Sequence, residues 1–228
     1  MKSTDSGNKA MKYYPVHLDI DNRPCLVVGG GDVGQRKAMG LLECGARVTV
    51  VSPKVTQKLI KLGEEGRVQL HLRPYRSEDL KGVFMVMGAT DDEALNRRIH
   101  DDAEARNVLC NIADRPAVCN FILPSVIRRG DLIVTVSTSG KSPAFAKNLR
   151  RRMEDQFGAA YGPFLTLMGN IRKRLLAEAH APETHKPLFE AMIDDGLLEL
   201  VALGDIPGID ALLLRTLGPG YSYDDLMK

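Results

Sequence analysis

Short apolar runs alternate with longer amphipathic stretches through the first half of the chain. Pro24-Cys25-Leu26-Val27-Val28 is continuously apolar and stops at three glycines, the pattern of a strand buried on both faces of a parallel sheet. A helix is predicted from Val33 to Cys44, with Val33, Lys37, Leu41 and Cys44 on one face and Gly45 as its stop. Arg47-Val48-Thr49-Val50-Val51 is β-branched and reads as a second strand, ended by Pro53. The alternation continues with a helix over 54–66, strands at Val68–Leu72 and Val83–Met87, a helix-rich segment from Asp91 to Asn107, and a strand at Val108–Ile112. Strands separated by helix-length segments build βαβ units and therefore a doubly wound parallel α/β sheet.

After Asp114 the pattern changes. Asn120–Pro124 and Leu132–Val136 read as strands separated by the turn-forming Arg129-Gly130-Asp131. Ser142-Pro143 opens a helix, Ser as N-cap and Pro at the first helical position. Helices are expected over 143–157, 161–180, 185–194, 196–203 and 207–216, punctuated by Gly and Pro at 158, 162–163, 182, 187, 204 and 207–208. The expected organisation is a disordered tail over 1–12, an α/β domain over 13–114, a small β-containing segment over 115–150 and an all-helical C-terminal subdomain over 151–228.

Composition narrows the classes. The 228 residues are 44% hydrophobic and 26% charged, ordinary for a globular chain. A net charge of +2 sets up no global field for a polyanion. Few aromatics and no Trp argue against base-stacking on single-stranded nucleic acid, so no nucleic-acid partner is expected. No run approaches the roughly 18 apolar residues of a membrane span, and Met1–Lys12 lacks the apolar centre of a signal peptide. Cys25, Cys44, Cys110 and Cys119 form no CxxC pair; they read as structural thiols suited to a reducing cytoplasm. The histidines His17, His71, His100, His180 and His185 show no HExxH or clustered spacing, so no metal site is expected.

Gly29-Gly30-Gly31-Asp32-Val33-Gly34 fits GxGxxG at 29, 31 and 34, after a predicted strand and before a predicted helix. The first glycine allows a tight turn, the second a close approach of backbone to pyrophosphate, the third close helix–strand packing. This points to a Rossmann-type dinucleotide unit, against the plainer reading of a tight βα turn. The acid that usually follows the second strand and bonds the ribose is missing: that strand ends Val51-Ser52-Pro53-Lys54. Ser52 could bond a ribose hydroxyl and Lys54 a 2′-phosphate, so the residues leave NAD and NADP open. Arg36-Lys37 in the next helix opposes the macrodipole, either meeting an anion or lying on a solvated face.

Other candidates lie at strand ends. Asp114 follows the fifth predicted strand, where it can serve as a general base or an orienting carboxylate, or belong to a plain turn with Arg115-Pro116. Thr90 or Asp91 reads as an N-cap, and the same turn could line the cofactor crevice. Ser137-Thr138-Ser139-Gly140-Lys141-Ser142 is a hydroxyl-rich loop before a helix, able to bond carboxylate or phosphate. Thr135 stands where a P-loop needs its first glycine, which excludes nucleoside triphosphate binding there. Lys147, Arg150, Arg151 and Arg152 form either a solvated face or a receptor for a polyacidic ligand.

Together these residues resemble the precorrin-2 dehydrogenase family, the N-terminal module of siroheme synthase. The resemblance rests on Tyr14-Pro15-Val16, the glycine loop through Arg36-Lys37, Ala89-Thr90-Asp91-Asp92 with Asn96, Cys110-Asn111-Ile112-Ala113-Asp114, Phe121-Ile122-Leu123-Pro124-Ser125 and Ser137–Pro143. It runs from about residue 13 to 155; the helical tail carries no matching motif. It implies NAD-dependent oxidation of precorrin-2, a polycarboxylate macrocycle, to sirohydrochlorin on the way to sirohaem. Asp114 would be the general base or orienting carboxylate. Asp32, Val33, Pro53 and Lys54 would contact NAD, and 115–150 would hold a dimerisation segment, making a homodimer. Asn111, Ser137, Thr138, Ser139 and Lys141 are taken as substrate-binding. Some members also insert Fe²⁺, so a bifunctional dehydrogenase and ferrochelatase, acting on Fe²⁺ or Co²⁺, is one alternative. The other is an NAD(H)-sensing module without catalysis.

Overall fold

The computed structural model describes residues 12–113, 115, 118–178 and 182–228, with the side chains of 182–184 left aside. Asp114 lies outside the described residues, as do 1–11 of the expected tail. The chain divides into two compact units, 1–123 and 124–228.

In the first unit β1 (Pro24–Gly30), β2 (Arg47–Val55), β3 (Val68–His71), β4 (Met85–Gly88) and β5 (Leu109–Ile112) form one sheet in the order β3-β2-β1-β4-β5. Every pairing in it is parallel, the doubly wound arrangement expected from the alternating pattern. Helix α1 (Asp32–Leu42) puts Ala38 and Leu41 on one face with Cys25, Val27, Val50 and Met87, where Leu59 of α2 (Gln57–Glu64) joins them. Helix α3 (Glu93–Glu104) puts Ile99 and Ala103 on the other, with Leu26, Val28, Val86 and Cys110. Fully buried aliphatic side chains such as Leu59 and Ile99 each contribute about 1.5–3 kcal/mol relative to exposure.

The structure departs from the sequence expectations at three places. β2 does not stop at Pro53 but runs to Val55. Its register against β1 jumps from Val28↔Val51 to Gly30↔Val55, so Pro53 sits in an irregularity where a missing N–H costs no ladder bond. Helix α2 consequently starts at 57 rather than 54, with Thr56 as its N-cap. Asn120–Pro124 is not a strand. Instead the Asn120 side chain accepts from Cys110 N–H at 2.8 Å and donates to Val108 C=O at 3.1 Å, and its own N–H donates to Cys110 C=O at 3.2 Å, so one residue covers the edge of β5 without extending a strand.

A 3-10 turn, Ser77–Leu80, is fixed by Asp79. The Arg73 guanidinium donates to both carboxylate oxygens, at 2.6 and 2.8 Å, and Arg76 N–H adds a third bond at 2.8 Å. The Arg73 hydrogen bond holds the Asp79 carboxyl below its ordinary range. Its stabilisation is therefore present above the usual carboxylate pKa and lost as pH falls through the lowered one. Asp79→Asn should destabilise the chain by about 1–2 kcal/mol at neutral pH. The gap to the parent should close below about pH 4, as measured by urea melts at both pH values; a gap independent of pH contradicts this.

The second unit opens with the antiparallel hairpin β6 (Ser125–Arg129) and β7 (Leu132–Val136). α4 (Pro143–Glu154) packs against both strands, and α5 (Tyr161–Ala177) against β7. α6 (Pro182–Asp194), α7 (Leu197–Leu203), α8 (Ile206–Leu217) and α9 (Tyr223–Leu226) complete a helical cluster around Leu167, Ile171, Met192, Leu197 and Leu213. Ser142 caps α4 by accepting from Phe145 N–H, with Pro143 next, as expected. Pro187 lies inside α6 and does not break it, and the short α9 was not foreseen.

Candidate functional site

β1 is followed by β2 on one side and has β4 on the other, so the carboxyl ends of β1 and β4 flank the point where the strand order reverses. Three glycines of the loop are fixed there by close backbone neighbours. Gly29 has φ +113°, and a Cβ on it would collide with the Ala89 carbonyl, while Ala89 N–H donates to Val28 C=O at 2.7 Å. A Cβ on Gly30 would strike the Lys54 carbonyl and Val55, and one on Gly34 the Gly29 carbonyl. Gly31 differs: it is exposed, and nothing lies within 4 Å of where its Cβ would stand. It is also the N-cap of α1, in extended backbone and with no side chain capping the helix. Gln35 N–H is already engaged, donating to Gly31 C=O at 2.8 Å. The N–H groups of Asp32, Val33 and Gly34 precede it, in the turn that a helix start leaves without intrahelical acceptors. An open glycine beside an uncapped helix start fits a dinucleotide pyrophosphate.

At the end of β2, Ser52 is buried and its hydroxyl donates to the Lys54 carbonyl at 2.7 Å. That bond shapes the bulge that lays Lys54 against Gly30. Pro53 and Lys54 are exposed. Thr56, besides capping α2, donates to Gln35 Oε1 at 2.7 Å, tying the first turn of α1 to this edge.

After β4 the N-cap of α3 is Asp92, which accepts from Leu95 N–H at 3.0 Å, and neither Thr90 nor Asp91. Thr90 Oγ1 accepts from Asp92 N–H at 3.1 Å, and the Thr90 carbonyl accepts from Asn96 Nδ2 at 2.8 Å. Asp91 is exposed.

At the end of β5, Asn111 is 7% exposed, and both ends of its amide are engaged. Its Oδ1 accepts from Lys37 Nζ at 3.3 Å, and its Nδ2 donates to the Phe121 carbonyl at 3.1 Å. Cys119 Sγ donates to the Arg115 carbonyl at 3.1 Å and accepts from Ile112 N–H at 3.1 Å. Arg115 donates to Glu93 Oε1 at 2.7 Å. These bonds hold the chain on both sides of Asp114. Burial pushes the Cys25 thiol up to about 11 and the Cys110 thiol up to about 12; Cys119 is raised for the same reason. None is a ready nucleophile at neutral pH.

The hydroxyl-rich loop belongs to the second unit. Ser137 Oγ accepts from Ser139 N–H, and Thr138 Oγ1 from Ser142 N–H. Ser139 and Gly140 both have positive φ, +53° and +77°. Thr138 is partly buried, whereas Ser137, Ser139 and Lys141 are exposed. On α4, Arg150 is held by Glu154 at 2.5 Å.

Among the described residues no group of three or more His, Cys, Asp or Glu could hold a metal ion. No described helix is long and apolar enough to cross a membrane. Sequence reasoning did not single out the Lys37–Asn111 and Gln35–Thr56 contacts, and it missed what Asn96 does. Only Asn96 left a signal: a polar residue at the i position of a face continued by Ile99 and Ala103.

A family model described as "Putative NAD(P)-binding" matches residues 16–125, and one described as "Sirohaem biosynthesis protein central" matches residues 129–156. The chain is 38% identical over 194 residues to siroheme synthase of Photobacterium profundum, covering 85% of this chain and 41% of that one. It is 35% identical over 211 residues to siroheme synthase of Nitrosospira multiformis, covering 91% and 45%. The solved structure of SirC, a precorrin-2 dehydrogenase, superposes with a TM-score of 0.76 at 26% identity, covering 90% of this chain and 98% of that one. The chain is thus similar over most of its length to siroheme synthases and to a precorrin-2 dehydrogenase. It spans 41–45% of the length of these two siroheme synthases, and the SirC match extends over both of its units.

Proposed function

We propose that this protein oxidises precorrin-2 to sirohydrochlorin with NAD, giving NADH and a proton. The observation that carries the reading is the open Gly31 cradle between β1 and β4, in a chain similar to a precorrin-2 dehydrogenase. The N–H groups of Asp32, Val33 and Gly34 would hold the pyrophosphate. Ser52, Pro53 and Lys54 would border the ribose, and Thr90 and Asp91 the opposite wall. When bound, the nicotinamide ring supplies the hydride acceptor. Asp114 takes up the proton that the macrocycle loses, or orients a pyrrole nitrogen while that proton leaves. Ser137, Thr138, Ser139 and Lys141 receive substrate carboxylates through hydroxyls and one ammonium. Asn111, buried with its amide engaged, acts by holding Lys37 and Phe121 in place.

The choice of NAD over NADP rests on the resemblance. No carboxylate stands at the end of β2 to repel a 2′-phosphate, so discrimination between the two should be modest. The protein is read as cytoplasmic, in keeping with its buried thiols. It is also read as a homodimer, supported by the outer face of the β6–β7 hairpin, where Val126 and Ile133 are exposed; sedimentation of the full chain checks this. The test of function is turnover of precorrin-2 with NAD and separately with NADP. NADH formation is expected at the higher kcat/KM, and no oxidation with either dinucleotide would overturn the proposal.

A further inference from the structure

Asn96 is only 7% exposed, on the face of α3 that Ile99 and Ala103 pack into the sheet. Its Nδ2 donates to the Thr90 carbonyl at 2.8 Å. Its Oδ1 has no hydrogen-bond partner among the described residues. Burying an amide with one end unsatisfied is costly, and an aliphatic side chain of similar size avoids that cost. Packing alone therefore does not account for an asparagine here, and its side-chain bond goes to the turn after β4. That turn is rigidly built in. Ala89, one residue before Thr90, donates to Val28 C=O at 2.7 Å, and its own carbonyl fills the space beside Gly29. Gly88, before it, accepts from Ala113 N–H at 2.9 Å. A displacement at Thr90 would thus pass into the wall against which the glycine loop is packed.

We propose that Asn96 is a positioning residue for the dinucleotide: by holding the Thr90 carbonyl it fixes the β4 turn against Gly29 and keeps the glycine loop in its binding shape. The proposal rests on the dinucleotide reading above. Local order comes here at the cost of an unsatisfied buried oxygen, a departure from good packing of the kind that accumulates at functional sites.

The experiment is NAD titration of the full chain, followed by calorimetry, beside thermal melting of the same samples. Asn96→Leu removes the donor together with the unsatisfied oxygen, and Asn96→Asp removes the donor while keeping the shape. Ile99→Val, on the same helix face, serves as a purely structural control. Both Asn96 variants are expected to stay folded and to bind NAD about tenfold more weakly, the scale of one lost hydrogen bond. In turnover the loss should fall on KM for NAD. The control should lower the melting temperature by a few degrees (about the effect of one deleted methyl group) and leave the NAD Kd in place. Unchanged Kd in folded Asn96 variants overturns the proposal, as does failure of both variants to fold, which assigns Asn96 to the core alone. If the parent chain binds neither NAD nor NADP, the dinucleotide reading itself fails, a result distinct from either of these.

Discussion

Replacing Asp114 by Ala is expected to slow precorrin-2 oxidation by about 10²–10⁴-fold, the usual worth of a positioned proton-transfer group. The Kd for NAD should stay within about twofold (under 0.4 kcal/mol on the binding scale). The expectation starts from position: Asp114 comes two residues after β5, whose carboxyl end faces the same sheet edge as the glycine loop. The flanking chain is tied down by Cys119 on Ile112 and Arg115 and by Arg115 on Glu93, so an alanine has little reason to disturb the loop. Asp114→Asn separates the two roles. If the carboxylate acts as base, Asn should lose as much rate as Ala; if it orients a nitrogen, Asn should retain a measurable part. Steady-state NADH formation reads all three proteins, and turnover of Asp114→Ala at the parent rate would remove Asp114 from the chemistry.

Gly31→Val is expected to weaken NAD binding by roughly a hundredfold while shifting the melting temperature by only a few degrees. The space around Gly31 is open in the protein, and its backbone, at φ −74°, suits any residue. A side chain there collides with no neighbour but fills the room the pyrophosphate needs. Losing the approach to one helix-start N–H group, at about 1.5–3 kcal/mol for a bond to a charged partner, gives the expected size. Gly29→Ala is the contrast. It meets the Ala89 carbonyl and starts from φ +113°, so it should cost at least about 1–3 kcal/mol of folding stability. Melting curves beside NAD titrations distinguish the two; a Gly31→Val protein that binds NAD normally would show that the loop is only a tight turn.

Much of this was legible in the sequence because the signals were local. The runs at 24–28, 47–51, 83–87 and 108–112 announced buried parallel strands, and the glycine spacing announced how α1 sits on β1. Ser142-Pro143 announced α4 in the same way. What escaped depended on tertiary context. Pro53 looked like a strand end because its missing donor is costly in a regular ladder, yet the register jump opposite Gly29 makes it harmless. Asn120–Pro124 looked like a strand because Phe121, Ile122 and Leu123 are apolar, yet only Asn120 meets the β5 backbone, through its side chain and its N–H. The N-cap of α3 fell on Asp92 rather than on Thr90 or Asp91, a choice among three consecutive capping residues that only backbone geometry decides. Asn111 was read as substrate-binding, and nothing in the sequence hinted that its amide is engaged by Lys37 and Phe121. A sequence shows a polar residue at a strand end without saying which way its side chain is held.

The central claim is that one chain both holds the dinucleotide and passes the macrocycle's electrons to it. Anaerobic mixing of the 228-residue chain with precorrin-2 and excess NAD, with sirohydrochlorin and NADH quantified from the same samples, tests it most directly. The account predicts that the two products appear together in equal amounts, and that both disappear in Asp114→Ala. Sirohydrochlorin formed without matching NADH, or NAD bound with no oxidation of precorrin-2, would contradict it.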